Sequence, residues 1–302
     1  MIDLLKSCKL CPRNCKVDRL NNKIGFCKAT DKLKVARAAL HFWEEPCISG
    51  EKGSGTVFFS NCTLKCVFCQ NNDISECSAG KEISIERLSD IFLELQHKGA
   101  LNINLVTPTH YVPQIIEGLK IAKNKGLNLP IIYNSSGYEN IETLRYLKGY
   151  IDVYLPDLKY FSNKYSLKYS NAKDYFNFAI KAIDEMVKQV GDIQFDKNGI
   201  IKKGVIVRHL LLPGLLFDSK KILDYLHKTY DDKIYISIMN QYTPLAHVEN
   251  YPEINKKISE KYYNTIIDYA ISIGIQNAFI QEEGTAKESF IPAFDYEGVQ
   301  RN

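Results

Sequence analysis

Nine cysteines give this chain most of its chemical potential, at positions 8, 11, 15, 27, 47, 62, 66, 69 and 77 of 302 residues. A secreted disulfide framework spreads its bridges through the fold and usually uses an even number. Thiols crowded into one quarter of a chain more often bind metal or iron–sulfur clusters. Two groups stand out. Cys8-x2-Cys11-x3-Cys15, joined by Cys27, can enclose a tetrahedral zinc or a cubane cluster. Pro12 and Gly25 suit the tight turns of such a knuckle. Cys62-x3-Cys66-x2-Cys69 supplies three thiolates, which hold three corners of a [4Fe–4S] cube and leave the fourth iron open to a chelating small molecule. The alternative is a closed electron-transfer cluster with Cys77 as fourth ligand. Cys47 and Cys77 otherwise read as small buried hydrophobes.

The elements that must carry these groups alternate from about residue 55. Strands are expected at 56–60, 102–106, 130–134, 151–155, 205–211, 233–238 and 278–281. Several are nearly continuous apolar runs, as parallel strands covered on both faces should be. Between them, Ile85, Leu88, Ile91, Phe92 and Leu95 share a helical face that Gly99 closes. Ile254, Ile258, Tyr262 and Ile266 make another stripe before Gly274, and further helices are expected over 112–126, 139–148, 171–190 and 218–230. The polar stretch 191–203 reads as an insertion, hairpin or disordered. This order predicts an α/β fold, a partial (β/α)6-type parallel barrel over 51–302. Residues 1–50 form a Cys-rich N-terminal appendage with too little apolar content for its own core, so metal would supply its order.

Parallel barrels gather their reactive groups at the C-terminal ends of strands. In turn these ends offer the 62–69 thiols, Thr107 and Thr109 with His110, Asn134 and Ser135, Asp157 and Lys159, and Arg208. Arg208 lies on an apolar strand and needs a carboxylate, either a ligand's or a buried side chain's. Asp157 and Lys159 equally suit an ion pair at a strand end. His110 and His247 read more readily as satisfied structural groups than as substrate contacts. Trp43, Glu44 and Glu45 could form part of the appendage's packing, and the sequence alone leaves their role open.

The loop Cys62-x3-Cys66-x2-Cys69, placed after the first barrel strand, resembles the CxxxCxxC loop of radical S-adenosylmethionine enzymes. Segments 10–15, 25–27, 41–50, 53–60, 107–110 and 208–214 extend the resemblance, to proteins like the pyruvate formate-lyase activating enzymes, over nearly the whole chain. The resemblance implies a radical SAM barrel, a [4Fe–4S] cluster on Cys62, Cys66 and Cys69, and S-adenosylmethionine chelated at the fourth iron. One electron from the cluster would cleave the sulfonium, and the 5′-deoxyadenosyl radical would take hydrogen from a substrate, a protein glycine in true activating enzymes. It also implies an aromatic near the adenine at Phe68 and an Asp-x-Lys at the mouth, Asp157 and Lys159. Many relatives carry Gly-Gly-Glu after the second strand to hold the methionine amino group. Here Thr107-Pro108-Thr109-His110 stands there. Pro108 has no N–H to donate, which passes that role to the Thr107 and Thr109 hydroxyls. Asn134, Ser135 and Arg208 complete the expected cofactor contacts.

Composition is that of a soluble globular chain, 45% hydrophobic and 25% charged, with a scattered net charge of +4. No stretch approaches the length of a membrane span, and no signal peptide is evident, so the expected compartment is the cytoplasm. The expected partners are a substrate, more readily a protein than a small molecule, and a one-electron donor such as flavodoxin or ferredoxin. Radical modification of another macromolecule or metabolite is the alternative enzyme reading. A non-catalytic metal-bearing module that binds nucleic acid is the alternative class, but basic residues and aromatics do not cluster around the knuckle.

Overall fold

Near-continuous apolar runs make buried parallel strands when helices cover them. Seven such strands pair in parallel: β2 (Ser54–Phe59), β4 (Ile103–Val106), β5 (Ile131–Ser135), β6 (Val153–Pro156), β8 (Ile201–Leu210), β9 (Tyr235–Met239) and β10 (Ala278–Ile280). All seven coincide with expected strands. The computed structural model describes residues 1–76, 79–281 and 292–300, and Cys77 lies outside them. Two antiparallel strands, β1 (Leu33–His41) and β3 (Lys81–Ile83), extend one edge, giving the order β10-β9-β8-β6-β5-β4-β2-β1-β3.

β1 corrects the expected appendage boundary at residue 50. Its nine residues pair with β2 from Val35↔Phe59 to His41↔Ser54, so 33–41 belongs to the sheet. The insertion at 191–203 is a hairpin, with β7 (Gln194–Phe195) antiparallel to the start of β8. The helix expected over 171–190 is α7 (Tyr175–Val190), and an unexpected helix, α6 (Asn163–Ser170), precedes it; Asn171 and Asp174 take left-handed backbone conformations between the two. The stripe from Ile254 also starts too early. Ser259 caps α9 (Glu260–Ser272) by accepting the Tyr262 N–H, leaving Ile254 and Ile258 ahead of the helix. The remaining helices, α3 (Ile85–His97), α4 (Val112–Asn124), α5 (Ile141–Tyr146) and α8 (Leu216–Tyr230), lie where their periodicity puts them.

Alternation along the strands divides the core in two. Val57, Leu105, Tyr133, Tyr154, Val207 and Ile236 face the helix layer. Ile132, Val153, Leu155 and Ile206 face the barrel interior, where Cys47 and Ile48 of α1 (Pro46–Ser49) pack against them. Asn102, just ahead of β4, donates to the Ile48 carbonyl at 2.8 Å, so α1 plugs the N-terminal end of the barrel. Among the described residues no helix is long and apolar enough to cross a membrane.

Candidate active site

Above that plug the barrel holds a cavity of about 540 Å³. Its wall is built from inward-facing strand positions: Phe58 on β2, Val106 on β4, Asn134 on β5, Arg208 and Leu210 on β8, Ser237 and Met239 on β9. Cys62, Cys66, Phe68 and Cys69 close the end at the strand C-termini. The expected residues Thr107, Asn134, Ser135, Asp157, Lys159 and Arg208 line the same space.

The three-thiol loop is shaped for anionic sulfur. Lys65 has a left-handed backbone (φ 56°), and the Leu64 and Lys65 N–H groups lie 3.3 and 3.5 Å from the Cys62 sulfur. The Ser170 hydroxyl donates to the Cys66 sulfur at 3.1 Å. Burial pushes all three thiols up, Cys69 to about 12, while hydrogen bonds and the Lys159 charge pull Cys62 and Cys66 the other way. Thiols in such a setting give up their protons when they bind metal. Among the described residues no group of three or more His, Cys, Asp or Glu is gathered closely enough to hold a metal ion. A cube takes each thiolate on a different iron, so it does not require that convergence, and the donor set fits it. Phe68 is buried beside the cavity with its ring 6.2 to 6.5 Å from Tyr160, Tyr169 and Tyr242.

Charge is concentrated below the loop. Lys159 lies 2.7 Å from Asp157, and the Arg208 guanidinium lies 3.2 Å from both Asp157 and Glu44 and donates to Asn134. Burial alone would raise the Asp157 carboxyl, but Lys159 and Arg208 together hold it below its ordinary value. Burial pushes Glu44 and Glu45 up, and Arg208 opposes it. The acceptor that Arg208 required is therefore protein carboxylate. Glu44 and Glu45 face this cavity instead of merely packing an appendage. The strand-end rule passed over them because they precede β2 and reach the barrel from below.

Thr109 is not brought to the cavity. It is buried and donates to the Glu139 carboxylate at 2.6 Å, because its one-turn segment points it back toward β5. Thr107 does line the space, with a left-handed backbone (φ 58°) that is unusual for a β-branched residue. The backbone at Thr107 thus takes a glycine-like conformation. His110 is buried with Nε2 2.8 Å from the Ser60 carbonyl, and burial lowers it to about 3, so it is a neutral structural group. His247 does not line the cavity.

The N-terminal thiols are neighbours outside the barrel. Cys8 pairs through its backbone with Lys16 and Val17, a turn closes from Asn14 to Cys11, and another closes from Lys28 to Gly25. A Cβ on Gly25 would stand 2.8 Å from the Cys15 sulfur. Burial raises the Cys11 thiol, and the nearby Cys27 and Cys8 add to it. This knuckle is strapped to the other thiol loop. Arg13 stacks on Phe26 at 3.7 Å and donates to the carbonyls of Thr63, Leu64 and Ser170 at 3.0, 3.2 and 2.9 Å. Arg19, almost fully buried, reaches the Thr30 and His110 carbonyls.

Residues 56–226 match the family model of the Radical SAM superfamily. The chain belongs to that superfamily. It is 31% identical over 266 residues to an uncharacterised protein of Methanocaldococcus jannaschii, covering 85% of this chain and 72% of that one. It is 27% identical over 175 residues to the pyruvate formate-lyase-activating enzyme of Clostridium pasteurianum, covering 55% and 64%. Solved structures share the fold at lower identity. A radical SAM methyltransferase from Sphaerobacter thermophilus gives a TM-score of 0.55 at 14% identity, over 77% of this chain and 67% of that one. Streptococcus suis SuiB bound to the precursor peptide SuiA gives 0.53 at 16%, over 74% of this chain and 47% of SuiB. The protein is accordingly a radical SAM enzyme of activating-enzyme-like sequence, and its cofactors are a [4Fe–4S] cluster and S-adenosylmethionine. The expected barrel stands, and the non-catalytic alternative falls.

Proposed function

We propose that this enzyme takes a hydrogen atom from a protein or peptide substrate in the barrel cavity, in the cytoplasm, with an electron supplied by a ferredoxin- or flavodoxin-type donor. The observation that carries the site is the shared cavity: Cys62, Cys66 and Cys69 at one end, with Phe68, Thr107, Asn134, Ser135, Asp157 and Lys159 around it. A [4Fe–4S] cluster held by Cys62, Cys66 and Cys69 would supply the electron for reductive cleavage of S-adenosylmethionine, and with it the hydrogen-abstracting chemistry of the site. The chain's own residues orient and enclose. Phe68 offers an apolar face for the adenine, and Asn134 and Ser135 offer polar groups to the ribose. Lys159, held charged by Asp157, faces the methionine carboxylate. Arg208 serves chiefly to fix Asn134, Asp157 and Glu44 in place. A protein substrate is favoured by the activating-enzyme relative and by the peptide-bound fold neighbour.

Cys8, Cys11, Cys15 and Cys27 are proposed as a second, closed metal site. A preformed zinc site would draw four sulfurs around one ion at about 2.3 Å. Four thiolates suit a zinc ion and an iron–sulfur cluster alike, with a slight preference for zinc. Anaerobic reconstitution with S-adenosylmethionine and dithionite, assayed for 5′-deoxyadenosine, tests the main reading. Replacing Cys62, Cys66 and Cys69 with Ala should abolish product and the paramagnetic signal of the open cluster. Retained cleavage in that variant would refute the assignment. Metal analysis of the same variant decides the second site: about four irons indicate a cluster and about one zinc a knuckle.

A further inference from the structure

Three carboxylates and two cations share the cavity, and the pairing is uneven. Asp157 is met by both Lys159 and Arg208, and Glu44 by Arg208. Glu45 has no ion-pair partner among the described residues, although it is only 8% exposed. Its Oε2 is buried with no hydrogen-bond partner. The Oδ1 of Asn104, whose amide donates to Glu44 at 3.0 Å, is a second buried orphan. The Asn104 oxygen is an acceptor, and the Glu45 oxygen is one when the carboxyl is ionised. A buried acceptor without a donor is destabilising, and an unpaired buried carboxylate more so. Burial favours the protonated form of Glu45; a cation brought against it from the cavity would hold it ionised and give its unpartnered oxygen a charge-assisted bond.

Position says which molecule brings it. Glu45 stands immediately ahead of α1, the plug at the N-terminal end of the barrel, whereas the thiols that mark the cofactor end lie on the loop after β2, at the opposite end. A cation at Glu45 belongs to whatever fills the cavity beneath the cofactor. We infer that the substrate presents a protonated amine or guanidinium to Glu45, so that the segment entering the barrel carries a lysine, an arginine or an amino terminus. This rests on the cofactor occupying the thiol end. Lys or Arg on the substrate would form the charge-assisted bond that Glu45 lacks, and Ser237, also lining the cavity, lies beside that carboxylate.

The chain's single tryptophan, Trp43, lines the same cavity and is a built-in reporter. The anaerobic holoenzyme with S-adenosylmethionine is titrated with N-acetyl-lysine methylamide and with N-acetyl-norleucine methylamide, which lacks only the amine. Trp43 fluorescence and calorimetry follow binding. The lysine probe should bind at least tenfold tighter. Glu45→Gln should remove that discrimination, and Glu45→Asp should keep part of it. Equal binding of the two probes to the wild type, or unchanged lysine-probe affinity in Glu45→Gln, would overturn the inference. So would a tenfold loss of S-adenosylmethionine affinity with lysine-probe binding intact, which would assign the cation to the cofactor's own amino group. Formation of 5′-deoxyadenosine by wild type without any probe is measured in parallel, so failure of the cofactor reading is separately visible.

Discussion

Arg208→Met is the sharpest test of how the cavity is held together. The wild-type guanidinium is 13% exposed, lies 3.2 Å from Glu44 and from Asp157, and donates to Asn134. Methionine is of similar length but supplies no charge. Asp157 would keep Lys159 at 2.7 Å, whereas Glu44, 10% exposed, would lose its only ion-pair partner among the described residues. Breaking a buried pair from one side costs about 3–5 kcal/mol, because the other charge stays buried and uncompensated. At roughly 2 °C per kcal/mol for a chain of this size, the melting temperature should fall by about 6–10 °C. The double variant Arg208→Met with Glu44→Gln should recover much of that loss, since the stranded carboxylate is gone. Thermal melts of all four proteins form a double-mutant cycle, with coupling above about 1 kcal/mol expected for groups in contact. A single variant melting within about 2 °C of wild type, or a cycle without coupling, would show that Arg208 is merely solvated and the network argument wrong.

Three further outcomes follow from the geometry. Arg13→Met removes the strap on the Thr63, Leu64 and Ser170 carbonyls, so iron uptake at the 62–69 loop should slow and the melting temperature fall; unchanged uptake would remove the strap's role. Gly137→Ala would set a Cβ 2.2 Å from the Asp157 carbonyl at a φ of 73°; backbone cannot yield there, so soluble yield or melting temperature should drop sharply. Glu139, pushed up from 4.5 to about 7 by burial, prefers its neutral form in the fold. Its raised value gives stability that is complete below about pH 4.5 and lost as pH rises through about 7, on the order of 3 kcal/mol in all. Glu139→Gln should therefore flatten the stability curve across that window, and parallel curves for the two proteins would refute it.

Most of the barrel was legible because its signals are local. Continuous apolar runs such as 130–134 and 151–155 can only be covered strands, and the strand-end rule then placed Asn134, Asp157 and Arg208 around one mouth. The losses came where a local signal was read without its tertiary partner. β1 carries Leu33 and Val35 on one face but also a bulge between Val35 and Arg37, which breaks the alternation that reveals a strand. Thr109 lies three residues beyond β4, close enough to count as a strand end. The segment 109–111 turns within those residues and spends its hydroxyl on Glu139.

Glu44 and Glu45 were invisible for a different reason. Nothing in a run of two glutamates ahead of Pro46 distinguishes a solvated pair from the floor of a cavity. Only β1, returning antiparallel along β2, delivers them to the N-terminal end of the barrel, where α1 seals the interior with Cys47 and Ile48. The same strand begins just after Thr30 and Asp31, whose carbonyls are held by Arg19 and Gln114. One continuous segment therefore runs from the thiol knuckle, through β1, to the acidic floor. Order in the knuckle and the position of Glu45 are linked along it, since a nine-residue strand locked into the sheet register transmits no slack. A metal closing Cys8, Cys11, Cys15 and Cys27 would brace the end of that segment that is strapped to the 62–69 loop. Its other end carries Glu44 and Glu45 into the wall of the cavity, beside the α1 plug.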